Sequence, residues 1–322
     1  MWLQLVTIIA GFALLVWGAD RFVMGAAGTA RNLGVSPLII GLTIVGFGTS
    51  APEILVSIMA ALQGNPGLAI GNAIGSNITN IALILGATAL VAPLSIHSGI
   101  VKRELPILIG TTLVAFVLLS DGTLGQMDGL ALLIGLMIML SSVVYIGISG
   151  RDKDPVVAEY EAEIPTDLSL SQSLVWLIIG LVVLVGSSRM LVWGAVGVAE
   201  HFGISDLIIG LTIVALGTSL PELAASIASV LKNEHDIAIG NVIGSNMFNI
   251  LAVLGIPGII SPGLVDPAVV SRDMPVMIGL TVALFVMAYG FRGLGRINRF
   301  EALLLLAAYA GYQTLLYFSV VR

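Results

Sequence analysis

Residues 36–61 read SPLIIGLTIVGFGTSAPEILVSIMAA, and residues 205–230 read SDLIIGLTIVALGTSLPELAASIASV. The two stretches align without a gap at an offset of 169 residues, with 16 identities in 26. The same offset aligns GLAIGNAIGSNITNIALILG at 67–86 with DIAIGNVIGSNMFNILAVLG at 236–255, giving 12 identities in 20. It still holds at Arg103-Glu104-Leu105-Pro106 against Arg272-Asp273-Met274-Pro275. Agreement of this length does not arise by chance, so the chain is an internal duplication.

The surroundings of the repeat say what kind of duplication it is. Of 322 residues, 57% are hydrophobic and 10% charged, with a mean hydropathy of +1.07. Soluble domains are about half apolar and about a quarter charged, so a water-soluble enzyme is excluded, as is a disordered chain. Apolar runs near 3–29, 36–62, 67–91, 104–120, 125–148, 172–198, 205–231, 236–260, 274–291 and 299–318 predict ten membrane-spanning helices. Residues 1–148 then form a first five-helix repeat, 149–171 a short acidic linker and 172–322 a second five-helix repeat. Five is odd, so the second copy enters the bilayer from the opposite face. A direct sequence repeat thereby becomes an inverted structural repeat, an arrangement typical of transporters with a site at the repeat interface.

Charge supplies orientation and removes other classes. With ten spans, Arg21, Arg31, Lys102, Arg103, Arg151, Lys153, Lys232, Arg292, Arg296 and Arg299 fall on one side, and Arg189, Arg272 and Arg322 on the other. The positive-inside rule puts the first group in the cytoplasm and both termini outside. The first run has no basic flank before it and reads as a retained span. A net charge of −6 offers no basic patch for nucleic acid, and the absence of cysteine excludes disulfides and thiolate metal sites. The linker carries six acids between Asp152 and Asp167 but lacks the ligand spacing and turn glycine of an EF-hand loop, so it reads as a solvated connector. Asp20 and Arg21 are expected at the cytoplasmic end of the first helix, and Arg103-Glu104 and Arg272-Asp273 as interfacial anchors. Trp17, Trp176 and Trp193 are expected at the interfaces or between helices.

The chemistry lies in Gly48-Thr49-Ser50-Ala51-Pro52-Glu53 and its copy Gly217-Thr218-Ser219-Leu220-Pro221-Glu222. Proline inside a helix removes a hydrogen bond and crowds the carbonyl four residues back, so each span should break or kink here. Unpaired backbone at membrane depth is tolerated only where it lines a cavity or finds a partner. Thr49, Glu53 and Ser57 lie four residues apart on one helix face, with Ser50 three before Glu53. Thr218, Ser219, Glu222 and Ser226 repeat the set. In the second motif Ser76 and Asn80 are four apart, matched by Ser245 and Asn249. Carboxylates at mid-bilayer are costly, at least about 2.5–3.5 kcal/mol each on insertion scales. Two facing acids cannot both stay ionised without a cation between them. One divalent ion, several Na⁺ or protons could each neutralise Glu53 and Glu222, and mutually exclusive loading is the physical basis of exchange. Asn72, Asn241, Ser57 and Ser226 are read equally well as ligands or as polar glue between helices, and Asn77 and Asn246 as braces.

The paired GTSAPE and GTSLPE segments, each followed by GN-x-IGSN-x-x-N, resemble the α-repeats of the calcium:cation antiporter superfamily, and most closely its small prokaryotic sodium/calcium-exchanger-like members of bacterial inner membranes. The resemblance covers the whole chain. It implies an all-α integral membrane fold of ten helices in two inverted five-helix repeats. It also implies secondary active antiport of Na⁺ for Ca²⁺ by alternating access. In that resemblance Ca²⁺ is coordinated by Thr49, Glu53, Thr218 and Glu222. Na⁺ or the central site takes Gly46, Ser50, Ser76 and Asn80 on one side, and Ala215, Ser219, Ser245 and Asn249 on the other, with Gly46 and Ala215 contributing carbonyls. Asn80 and Asn249 are both neutral, where potassium-dependent relatives carry an acid, which points to K⁺ independence. The implied location is the plasma (bacterial inner) membrane. The implied partners are lipid and the transported Ca²⁺ and Na⁺, with no cofactor, nucleic acid or obligate protein partner.

Three other readings are weaker. H⁺/Ca²⁺ or other divalent antiport would use the same glutamates as proton carriers. An intramembrane hydrolase would need a motif with two aspartates, or a histidine in the membrane, and His97, His201 and His235 all fall near span ends. A passive cation channel would show flux without counter-ion dependence.

Overall fold

The computed structural model describes residues 1–35, 46–148, 168–289 and 295–321. Most of the acidic linker and the start of the first motif helix lie outside them, with Arg151, Lys153, Arg292 and Arg322. Among the described residues seven helical stretches are long and apolar enough to cross a membrane: Trp2–Asn32, Pro66–Val91, Leu170–Phe202, Asp206–Leu231, His235–Ile260, Val269–Tyr289 and Arg299–Val320. Three of the ten predicted spans are not among the seven. One is described only from Gly46. Another carries Lys102, Arg103 and Glu104 near the start of Gly99–Leu119. The third lies in the helix Gln126–Ile148, whose apolar stretch is Gln126–Ser142.

The helices are α1 (Trp2–Asn32), α2 (Gly46–Thr49), α3 (Ala51–Leu62), α4 (Pro66–Ile78), α5 (Gly86–Val91), α6 (Gly99–Leu119) and α7 (Gln126–Ile148) in the first half. The second half holds α8 (Leu170–Phe202), α9 (Asp206–Ile209), α10 (Ala215–Thr218), α11 (Leu220–Leu231), α12 (His235–Phe248), α13 (Gly255–Ile260), α14 (Met274–Tyr289) and α15 (Arg299–Val321). Wider π-helical turns interrupt this series at Thr79–Leu85, Gly210–Val214, Asn249–Val253 and Val269–Asp273. A capping box between Ser169 and Gln172 starts α8, two residues before the predicted boundary at 172.

Burial separates centre from rim. The apolar window of His235–Ile260 is 94% buried and that of Pro66–Val91 78%, against 28% for α1 and 17% for α15. The motif helices therefore form the middle, and the long first helix of each half lies outside them. There α1 and α8 run antiparallel, in contact along their lengths. Gly11 meets Leu191, Gly18 meets Leu184 and Gly25 meets Leu177, so the contact descends one helix as it climbs the other. A Cβ at Gly25 would stand 2.2 Å from the Leu177 nitrogen, and one at Gly180 2.4 Å from that of Phe22. Only glycine permits this approach.

These contacts are reciprocal. Gly11 touches Leu191, and their copies, Gly180 and Phe22, touch each other; Gly25 with Leu177 and Gly194 with Ile8 do the same. Two short antiparallel ladders also join the halves. β1 (Leu94–Ile96) pairs with β4 (Gly295–Ile297), and β2 (Thr123–Leu124) with β3 (Gly263–Leu264). At one end of the centre Asp236, 1% exposed, accepts from the backbone N–H of His97 and Ser98, both at 3.0 Å. It thereby fixes the turn before α6 on the start of α12.

Two expectations change. Asp20 lies well inside α1, not at its end. Arg272-Asp273 is not a surface anchor: Asp273 is fully buried. Its oxygens take both Arg272 Nε (2.7 Å) and Nη2 (3.1 Å), and Tyr312 donates at 2.9 Å.

Candidate cation-binding centre

The prolines act as their position dictates. α2 stops at Thr49 and α3 starts at Ala51; α10 stops at Thr218 and α11 starts at Leu220. Between them Ser50 (φ −84°, ψ 0°) and Ser219 (φ −84°, ψ 6°) occupy the same bend. Pro52 and Pro221 thus stand in the first turn of a new helix, where their missing N–H costs nothing. Glu53 and Glu222 follow at once and point into the interior, both 0% exposed.

The two halves are tied together around these acids. Thr49 Oγ1 donates to Asn241 Oδ1 (3.1 Å), and the mate Thr218 Oγ1 donates to Asn72 Oδ1 (3.2 Å). Asn72 Nδ2 also donates to the Glu53 carbonyl at 3.2 Å. Ser219 Oγ donates to Glu53 Oε1 (3.3 Å) and Ser245 Oγ to Glu222 Oε1 (3.2 Å). Ser245 Oγ lies 3.2 Å from Thr49 Oγ1 as well. Ser219, expected beside Glu222, instead reaches across to Glu53 of the first repeat, while Ser245 stays with Glu222 of its own half. Asn72 and Asn241, which the spacing left open between ligand and glue, complete the link.

Around this network several buried oxygens have no hydrogen-bond partner: Glu53 Oε2, Glu222 Oε2, Ser50 Oγ, Ser76 Oγ, Asn80 Oδ1 and Asn249 Oδ1. Buried polar atoms are rarely left without a partner, and these six belong to residues of the two duplicated motifs. Asn80 and Asn249 lie in the π-helical turns Thr79–Leu85 and Asn249–Val253, a feature enriched at functional sites that sequence periodicity does not reveal. Asn80 Nδ2 is held by Asn246 Oδ1 at 3.0 Å, the brace expected of Asn246. Ser57 is glue, donating to the Val253 carbonyl at 2.7 Å. The Ala215 carbonyl already accepts from Ser219 N (3.2 Å) and Thr218 Oγ1 (3.4 Å).

The donors are carboxylate, hydroxyl, amide and carbonyl oxygens. Among the described residues no group of three or more His, Cys, Asp or Glu is placed to hold a metal ion. Oxygen ligation with two formal negative charges suits hard cations, not thiophilic or imidazole-seeking metals.

Fold and centre together define a multi-pass, all-helical membrane protein built around a buried oxygen cage. Residues 3–145 and 172–318 match the family described as sodium/calcium exchanger protein, and the chain belongs to that family. It is 53% identical over 312 residues to CaxA of Alkalimonas amylolytica, covering 97% of this chain and 98% of that one. It is 45% identical to the inner membrane protein YrbG of Escherichia coli K12, over 88% and 87% of the two chains. A solved structure of the sodium-calcium exchanger NCX_Mj superposes with a TM-score of 0.66 at 35% identity, over 96% of this chain and 97% of that one. The Ca(2+)/H(+) antiporter ChaA of Bacillus subtilis is 29% identical over 89% of this chain and 85% of its own.

Proposed function

We propose that the protein is a secondary antiporter that exchanges Na⁺ for Ca²⁺ across the plasma (bacterial inner) membrane by alternating access. The observation that carries this reading is the pair Glu53 and Glu222, matched residues of two repeats, buried in one oxygen-lined centre with an unpartnered oxygen each. Ca²⁺ would take Thr49, Glu53, Thr218 and Glu222. Na⁺ would take Ser50, Ser76 and Glu53 with the Gly46 carbonyl on one side, and Ser219, Ser245 and Glu222 with the Ala215 carbonyl on the other, with Asn80 and Asn249 at Na⁺ or the central site.

Ten helices in two inverted repeats fit the contacts. Antiparallel α1 and α8, and contacts that recur with the halves exchanged, are what a two-fold relation produces. Both termini outside follows from the distribution of basic residues. In the exchange cycle the glycine-packed α1 and α8 slide against the central motif helices, opening the centre to one face at a time.

Two carboxylates are balanced by one Ca²⁺, whereas three Na⁺ exceed them by one charge. At a three-to-one ratio each cycle carries one net charge inward, and the membrane potential adds about 2.3 kcal/mol per 100 mV. Two neutral asparagines at 80 and 249 fit K⁺ independence. A second reading, H⁺/Ca²⁺ or other divalent exchange, has the likeness to ChaA in its favour. Proteoliposomes decide between them. A Na⁺ gradient at constant pH should drive ⁴⁵Ca²⁺ uptake, faster under a valinomycin-imposed potential of the correct sign. Uptake driven by a pH gradient alone, with Na⁺ ineffective, would select the proton reading. Flux indifferent to any counter-ion would make the protein a channel.

A further inference from the structure

A cavity of about 750 Å³ lies between α1 and the pair α11 and α12. It starts at Gly48, Thr49 and Asn241, in the polar centre, and runs outward past Ala27 and Ser229. Its wall is mostly apolar, with six alanines, and Asp20 is the only ionisable residue lining it among the described residues. The Asp20 side chain is 68% exposed.

Arg21 does not cancel this charge inside the cavity. Its Nε is 3.5 Å from Asp20 Oδ2, but its guanidinium sits between the rings of Trp17 and Trp176, 5.8 and 5.0 Å from their centroids. The cation is drawn toward α8, and the carboxylate is left facing the passage. A charge on an apolar wall focuses its field into the cleft it borders.

The repeat makes this placement informative. The mate of position 20 is Arg189, an exposed cation on α8. On that side α8 packs along α3, whereas α1 stands off α11 and leaves the cavity. The residue types at the centre are thus nearly the same in its two halves, while the residues on the two approaches differ in charge sign.

We propose that Asp20 recruits divalent cations into the centre through this cavity, and that Arg189 makes the opposite approach less attractive to them. The two faces of the protein then differ in apparent Ca²⁺ affinity. This rests on the antiport reading above. A doubly charged ion gains twice what Na⁺ gains from the same field, so Asp20 favours Ca²⁺ over Na⁺ at the entrance. By the basic-residue orientation the cavity opens toward Arg31 and Lys232, the cytoplasmic face, from which Ca²⁺ would have to be captured for export.

The chain contains no cysteine, which permits a test independent of transport. A single cysteine is placed at the cavity-lining Ala225 (Ala225→Cys) in the full-length protein in vesicles. Its reaction rates with cationic and anionic methanethiosulfonates are then compared from each face. The cationic reagent should react faster, from one face only, and Asp20→Asn should lower the cation-to-anion rate ratio about fivefold in low salt, with less effect in high salt. A ratio that Asp20→Asn leaves unchanged, or a cysteine unreactive from both faces, would overturn the proposal. In transport, Asp20→Asn should raise half-saturating Ca²⁺ about threefold on that face without changing the maximal rate, and Arg189→Gln should lower it on the other. Half-saturation unmoved on both faces would also overturn it. If wild-type protein carries no Na⁺-coupled Ca²⁺ flux, the antiport reading fails, while the cysteine kinetics still decide the role of Asp20.

Discussion

Ser219 of the second repeat donates to Glu53 of the first at 3.3 Å, while its sequence mate Ser50 is buried with no partner. Ser245 and Ser76 divide in the same way. Both engaged hydroxyls come from the second half and both free ones from the first. One duplicated sequence thus occupies two different local states.

This asymmetry separates ligand from brace. Ser219→Ala should lower cation-free stability by about 1–3 kcal/mol, because it removes a hydrogen bond to a buried carboxylate. Ser50→Ala should leave that stability nearly unchanged. Both should raise half-saturating Na⁺. Thermal unfolding without Na⁺ or Ca²⁺, set beside Na⁺ dependence of flux, reads both; Ser50→Ala protein with wild-type Na⁺ dependence would remove Ser50 from the site.

The crossing beneath the centre depends on two glycines. A Cβ at Gly71 would lie 2.4 Å from the Leu207 carbonyl, and one at Gly210 2.5 Å from that of Leu68. Gly71→Ala and Gly210→Ala should each cost about 1–3 kcal/mol through overpacking. Gly110→Ala and Gly279→Ala, with nothing within 4 Å, serve as controls that should be neutral or stabilising. Melting temperatures in detergent provide the comparison.

The Arg272–Asp273–Tyr312 cluster ties the start of α14 to α15 through a buried carboxylate. Asp273→Ala should destabilise by about 3–5 kcal/mol, since it strips a largely buried arginine of its partner. Tyr312→Phe should cost about 1.5–3 kcal/mol and leave half-saturating Ca²⁺ at the wild-type value. A shift in Ca²⁺ affinity in Tyr312→Phe would tie this cluster to the site.

With Asn80 and Asn249 both uncharged, replacing all K⁺ by choline should leave Na⁺-driven ⁴⁵Ca²⁺ uptake at its original rate. A dependence on K⁺ would mean that neutral amides suffice to hold it.

Much of this was legible in the sequence because the duplication displays it twice. The repeat, the proline breaks and the two glutamates follow from residue types and spacing alone. The π-helical turns at Asn80 and Asn249 do not, since one extra residue per turn leaves hydrophobic periodicity almost unchanged. Asp20 was misplaced because an acid beside an arginine reads as a helix end, whereas here two tryptophans draw the arginine aside. The choice of Glu53 as the partner of Ser219 was also hidden. Identical motifs carry no record of which copy is engaged.

The central claim is that Glu53 and Glu222 jointly hold the transported cation, and charge removal tests it most directly. Glu53→Gln and Glu222→Gln keep shape and hydrogen-bonding capacity, and each should abolish Na⁺-gradient-driven ⁴⁵Ca²⁺ uptake in proteoliposomes while the protein still elutes as a folded species. Uptake that persists in the double variant would contradict the account.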